Sequence, residues 1–92
     1  MIRKIPTQQL AVLTLDQALN QLIADLGFGA TVLPKRFNRL RTLRASVFMT
    51  TEDVGWFTNA LSEIEAEFAR GECGVAIWKA LQTRNRLRSR YQ

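Results

Sequence analysis

The sequence predicts an α+β domain, a small antiparallel sheet packed against two or three helices in the approximate order β-α-β-β-α-α. Three observations lead there. Two segments repeat apolar residues at helical spacing behind a threonine that reads as a helix start, Thr14 in one and Thr50 in the other. Leu43–Met49 alternates apolar and polar residues in the two-residue period of a strand. The chain is 92 residues long and 47% hydrophobic, enough for one core and too short for two, so residues 1–92 read as a single small basic domain.

Gln8–Leu13 alternates loosely and reads as a first strand, with Pro6 restricting it to a sheet edge or to the strand's start. Thr14 and Gln17 form a capping-box pair. Behind them Leu15, Leu19, Leu22, Ile23 and Leu26 repeat as one helical face, and Gly27 follows as a helix end prefers, so the first helix is Leu15–Leu26. Gly27-Phe28-Gly29 is a turn, and Ala30–Leu33 favours a short strand ended by Pro34. Between Lys35 and Thr42 the spacing of Phe37 and Leu40 also permits a helical turn. The preferred reading is two strands, Ala30–Leu33 and Leu43–Met49, joined by a long basic connection. Thr50 with Asp53 caps a second helix whose buried stripe is Val54, Phe57, Leu61, Ile64 and Phe68, and Gly71 stops it. A third helix starts near Val75, with Val75, Ile77, Trp78, Ala80 and Leu81 apolar. After Thr83 only Leu87 and Tyr91 are apolar.

Charge is segregated along the chain. The segments Lys35–Arg44 and Arg84–Arg90 hold nine of the thirteen Lys and Arg residues, and no acid interrupts either. Six of the eight acids lie between Glu52 and Glu72. On a helix Arg84 and Arg88 share one stripe while Arg86 and Arg90 share another, on nearly opposite sides. Residues 84–92 are therefore expected to project as an Arg-rich tail. Guanidinium groups pair with phosphates and release counterions on binding nucleic acid. Lys35, Arg36, Arg39, Arg41, Arg84, Arg86, Arg88 and Arg90 are the candidate contacts, to nucleic acid or to an acidic partner. Phe37, Trp56 and Tyr91 are candidates for stacking or for a protein interface. Five to seven phosphate contacts would give a log K against log salt slope of roughly −4 to −6 on duplex DNA. The competing reading gives the arginines structural partners, with Glu63, Glu65 and Glu67 available for that role.

Catalytic chemistry finds little support. The chain has no histidine, which removes Ser-His-Asp nucleophilic catalysis and the commonest metal ligand together. Its single cysteine, Cys73, excludes an internal disulfide and a cysteine-based zinc cluster. Gly27-Phe28-Gly29 lacks the residues of a phosphate-cradling loop and follows a helix rather than a strand. No cofactor is expected. No apolar run approaches the roughly 18–20 residues of a membrane span, and no signal peptide is visible, so the expectation is a cytoplasmic protein.

One local resemblance bears on the middle of the chain. Leu43-Arg44-Ala45-Ser46-Val47-Phe48, with Thr51-Glu52-Asp53-Val54 and Phe57, Ala60 and Leu61, resembles the closing small-domain segment of pyridoxal-phosphate cysteine desulfurases. In that family the arginine of Arg-Ala-Ser holds the substrate carboxylate, a role that would fall on Arg44. The resemblance covers about a quarter of the chain, and the large domain with its cofactor lysine has no room in 92 residues. It implies a strand leading into a helix, and no activity.

The resulting expectation is a non-catalytic binding protein that contacts nucleic acid or a nucleoprotein through its arginine-rich segments. The alternative is a protein-directed adaptor or inhibitor that docks on an acidic surface of its partner.

Overall fold

The computed structural model describes residues 7–29 and 31–92, and every regular element among them is a helix. Helix α1 spans Thr7–Phe28, α2 Leu33–Ala45, α3 Thr51–Ala69 and α4 Cys73–Tyr91. The expected sheet is absent among the described residues, so the fold is all-α rather than α+β.

Each expected strand fails for a local reason. Through Gln8–Leu13, α1 is continuous, because Val12 joins Leu15, Leu19, Leu22 and Leu26 on one buried face. Thr14 lies inside that helix and its hydroxyl donates to the Leu10 carbonyl at 2.9 Å, one turn back, so it is no cap. Of the expected strand Ala30–Leu33, Ala30 lies outside the described residues, as does Pro6. Thr31 and Val32 form a turn, and Leu33 opens α2. Pro34 sits in the first turn of that helix, where its missing N–H costs no hydrogen bond, while the Lys35 and Arg36 amides close onto the Val32 carbonyl. Proline starts this element instead of ending one.

The Leu43–Met49 alternation is split by the end of α2. Leu43–Ala45 complete the helix, and the Ser46 and Val47 amides turn back onto the Leu43 and Arg44 carbonyls at 3.0 Å. Arg44 therefore stands in the last turn of a helix, where the carbonyl ends of the macrodipole favour a cation, and not on a strand leading into α3. The loop is anchored by buried Val47 and by Gln8 of α1. The Gln8 side-chain amide donates to the Phe48 carbonyl at 3.0 Å and accepts from its amide at 2.8 Å.

Thr50 caps α3 as expected, accepting from the Asp53 amide at 3.1 Å. Gly71, at φ 83°, lies just past the end of α3 in the left-handed region that glycine occupies without strain.

The helices run up, down, up and down. Helix α1 packs on α2 and α4, and α3 packs on α4. Helix α4 approaches both neighbours closely because Ala76 and Ala80 fill its buried stripe along with Thr83 and Leu87. Val75 and Trp78 face outward. The core joins the leucines of α1 to Leu33, Phe37 and Leu40 of α2 and to Phe57, Leu61 and Ile64 of α3. None of the described helices is long and apolar enough to cross a membrane.

Candidate functional site

The two basic segments have different fates. Arg84–Arg90 forms the last turns of α4, with Leu87 fully buried between the arginines, so this run is the end of a packed helix and not a projecting arm. Because α4 lies between α1 and α3, its two arginine stripes find partners on opposite sides. Toward α1, Arg88 donates from Nε and Nη2 to the two Asp16 carboxylate oxygens at 2.7 and 3.0 Å, and Arg84 donates to the Asn20 side chain at 2.9 Å. Arg84 and Arg88 are one turn apart, as are Asp16 and Asn20. Two antiparallel helices bring such pairs into register. The Asp16 hydrogen bonds raise the Arg88 pKa above its already high ordinary value.

Toward α3, the second stripe converges on Asp53, whose side chain has no accessible surface. Arg90 donates to Asp53 Oδ2 from Nε and Nη2 at 3.1 and 3.0 Å, and the Tyr91 hydroxyl donates to the same oxygen at 2.5 Å. The Tyr91 hydrogen bond leads in holding the Asp53 carboxyl below its ordinary pKa. Burial opposes this, and Arg90 adds to the lowering. Burial, with the Asp53 hydrogen bond, pushes the Tyr91 pKa up. Asp53 Oδ1 has no hydrogen-bond partner among the described residues; the Arg86 guanidinium approaches it at 3.7 Å. Arg86 lies over the Trp56 ring, 4.4 Å from its centroid, and Trp56 meets Phe57 edge-on.

The other basic segment is α2. Its buried face is Leu33, Phe37 and Leu40, which removes Phe37, 2% accessible, from the stacking candidates. Tyr91 is half-buried and tied to Asp53, and Trp56 is half-buried beneath Arg86. On the outer face of α2, Lys35, Asn38, Arg39 and Thr42 are exposed. Arg36 is paired with Asp25 at 2.5 Å and Arg41 with Glu65 of α3, one on each flank. Lys35 and Arg39, one turn apart, have no carboxylate within 4.0 Å among the described residues. Beside Arg36 and Arg39, a shallow cleft of about 200 Å³ is walled by Thr14, Gln17 and Gln21 of α1. Phosphate-directed binding surfaces are built from this combination of cations, amides and a hydroxyl.

A larger groove, about 580 Å³, runs between α3 and α4 from Trp56 and Arg86 at one end to Glu63 and Lys79 at the other. Asn59 of α3 and Gln82 and Asn85 of α4 line its middle.

Sequence reasoning assigned the arginines but missed Asp16, Asn20, Asp25 and Asp53 as their partners, naming Glu63, Glu65 and Glu67 instead. Of those three, Glu65 pairs with Arg41, Glu67 with Arg70 and Glu63 with Lys79, none with the C-terminal run. The i, i+4 match of Asp16/Asn20 with Arg84/Arg88 was the available signal, readable once α1 and α4 are taken as antiparallel neighbours. Gln17, expected to pair with Thr14 at a helix start, and Gln21 instead line the cleft beside Arg36 and Arg39, because α2 is a helix beside them. No protein-family model, curated protein or solved structure matches this chain.

Proposed function

We propose that this chain is a non-catalytic binding protein that contacts the phosphate backbone of nucleic acid through the outer face of α2. The observation carrying this reading is that Lys35 and Arg39 stand exposed, without carboxylate neighbours, on a helix that contains no acid. The adjoining cleft with Thr14, Gln17 and Gln21 supports it, since amides and hydroxyls supplement cations in holding phosphate oxygens. Arg36 and Arg41 flank the face and exchange their carboxylates for phosphates at some cost. Arg84, Arg88 and Arg90 of α4 contribute far less, being engaged with Asn20, Asp16 and Asp53.

Two to four phosphate contacts predict a log K against log salt slope of roughly −2 to −4 on duplex DNA, shallower than a footprint that includes α4. Fluorescence anisotropy of a labelled duplex, titrated across a salt series, measures it. Binding that ignores salt, or no binding to DNA or RNA at low salt, overturns the proposal.

The second reading is a protein-directed adaptor, favoured by Phe48, 88% accessible just beyond the C-terminal end of α2. An aromatic beside a basic face suits an acidic protein surface. A complex captured from lysate that survives nuclease treatment selects this reading, and one that nuclease dissolves selects the first.

A further inference from the structure

The groove between α3 and α4 has a different chemistry from the α2 face. Its lining spans Trp56 to Glu63 on α3 and Lys79 to Arg86 on α4. At the helical rise of about 1.5 Å per residue this is roughly 10 Å, the length of about three residues of extended chain. At one end Arg86 is fixed by the Trp56 ring beneath it and by the nearby buried charge of Asp53, yet it donates no hydrogen bond among the described residues. A guanidinium that is held in place with its donors unfilled is preorganised for a carboxylate, which it meets in bidentate geometry. In the middle, the Asn59, Gln82 and Asn85 side chains each carry a donor and an acceptor, the complement of a peptide group. The protein already uses this pairing, since Gln8 both donates to and accepts from the Phe48 backbone. At the far end Glu63 is largely exposed, 3.7 Å from Lys79, and its negative charge opposes a polyanion.

We propose that the α3/α4 groove binds an extended peptide segment that presents a carboxylate to Arg86. The carboxylate is either an acidic side chain or a free chain terminus, and the amide side chains hold the backbone that leads away from it. This site is independent of the phosphate contacts on α2.

The test uses Trp56 as its reporter, in a Trp78→Phe background that leaves it the only tryptophan of the two in the chain. Three peptides serve as probes: acetyl-Gly-Glu-Gly-Ala amide, acetyl-Gly-Ala-Gly-Ala with a free C-terminal carboxylate, and its amide, which has no carboxylate. The expected result is a saturable fluorescence change at millimolar concentration with one or both carboxylate peptides. The stronger of the two identifies the carboxylate's source. Loss of the charge-assisted bonds in Arg86→Gln weakens binding by about tenfold or more. Asn59→Ala combined with Gln82→Ala alters exposed side chains, and it is expected to weaken binding several-fold with an unchanged thermal midpoint. No saturable response, an equal response to the carboxylate-free amide, or displacement of bound peptide by duplex DNA with no effect of the amide substitutions would overturn the proposal.

Discussion

A carboxylate in a protein interior is costly unless cations and hydrogen-bond donors surround it, and Asp53 has both in Arg90 and Tyr91. Removing the charge of Asp53 while keeping its shape leaves the Arg90 and Tyr91 hydrogen bonds with a neutral amide oxygen in place of a charged acceptor, and Arg90 without its counter-ion. Asp53→Asn is therefore expected to lower the thermal midpoint more than Asp25→Asn, whose Arg36 partner is partly exposed. The pH dependence has a definite sign. Because the folded-state pKa of Asp53 lies below its unfolded value, its contribution is complete above about pH 4 and is lost as pH falls through the folded value. Urea midpoints of the native protein and Asp53→Asn should then converge in acid. Tyr91 acts in the opposite range: with its folded pKa raised, the stability it contributes is present below about pH 10 and disappears as pH rises through the folded value. Tyr91→Phe should remove that alkaline loss. A separation of urea midpoints that does not shrink as pH falls below the ordinary carboxylate range contradicts the assignment for Asp53.

Two threonines with the same sequence signature behave differently at the scale of the helix. Thr50 is a true cap, and Thr50→Ala is expected to cost about 1 kcal/mol. Thr14 lies inside α1, so Thr14→Ala should be neutral or stabilising by a few tenths of a kcal/mol, because alanine has the higher helix propensity. Chemical denaturation distinguishes the two. The contrast also marks what was legible in the sequence. Helix α3 is legible from its cap, from Gly71 and from Phe57, Leu61 and Ile64 of its stripe. Val54 and Phe68 at the ends of that stripe are only half-buried, and Asp53 and Glu67 are buried instead. Helix α1 was read from Leu15 onward, and its first two turns were lost because Thr14 imitates a start. Helix α2 was lost altogether. Its buried face is only Leu33, Phe37 and Leu40, with Leu43 half-buried behind them, its proline resembles a stop, and Leu43–Met49 alternates by chance across a helix end. Phe37→Ala, which removes the largest side chain of that face, should destabilise the protein by about 3–5 kcal/mol.

Across the whole molecule, tertiary neighbours decide which charges remain available. The sequence displays two basic segments and one acidic one, and that display was correct as far as it went. Their meaning depended on an arrangement that no local pattern contains: α4 between α1 and α3, with Asp16 on one side and Asp53 on the other. The more conspicuous arginine run is thereby tied into the fold. The less conspicuous helix keeps exposed cations. The direct test compares Lys35→Gln with Arg39→Gln on α2 against Arg88→Gln on α4, measuring duplex-DNA anisotropy across a salt series alongside thermal midpoints. The α2 pair should leave the thermal midpoint unchanged, weaken binding, and reduce the magnitude of the salt slope by about 2. Arg88→Gln should lower the midpoint and leave the slope of the folded protein within about 1 of the native value. Unchanged affinity and slope in the α2 variant, with both lost in Arg88→Gln at temperatures where it is folded, would contradict the assignment of the phosphate-binding face to α2.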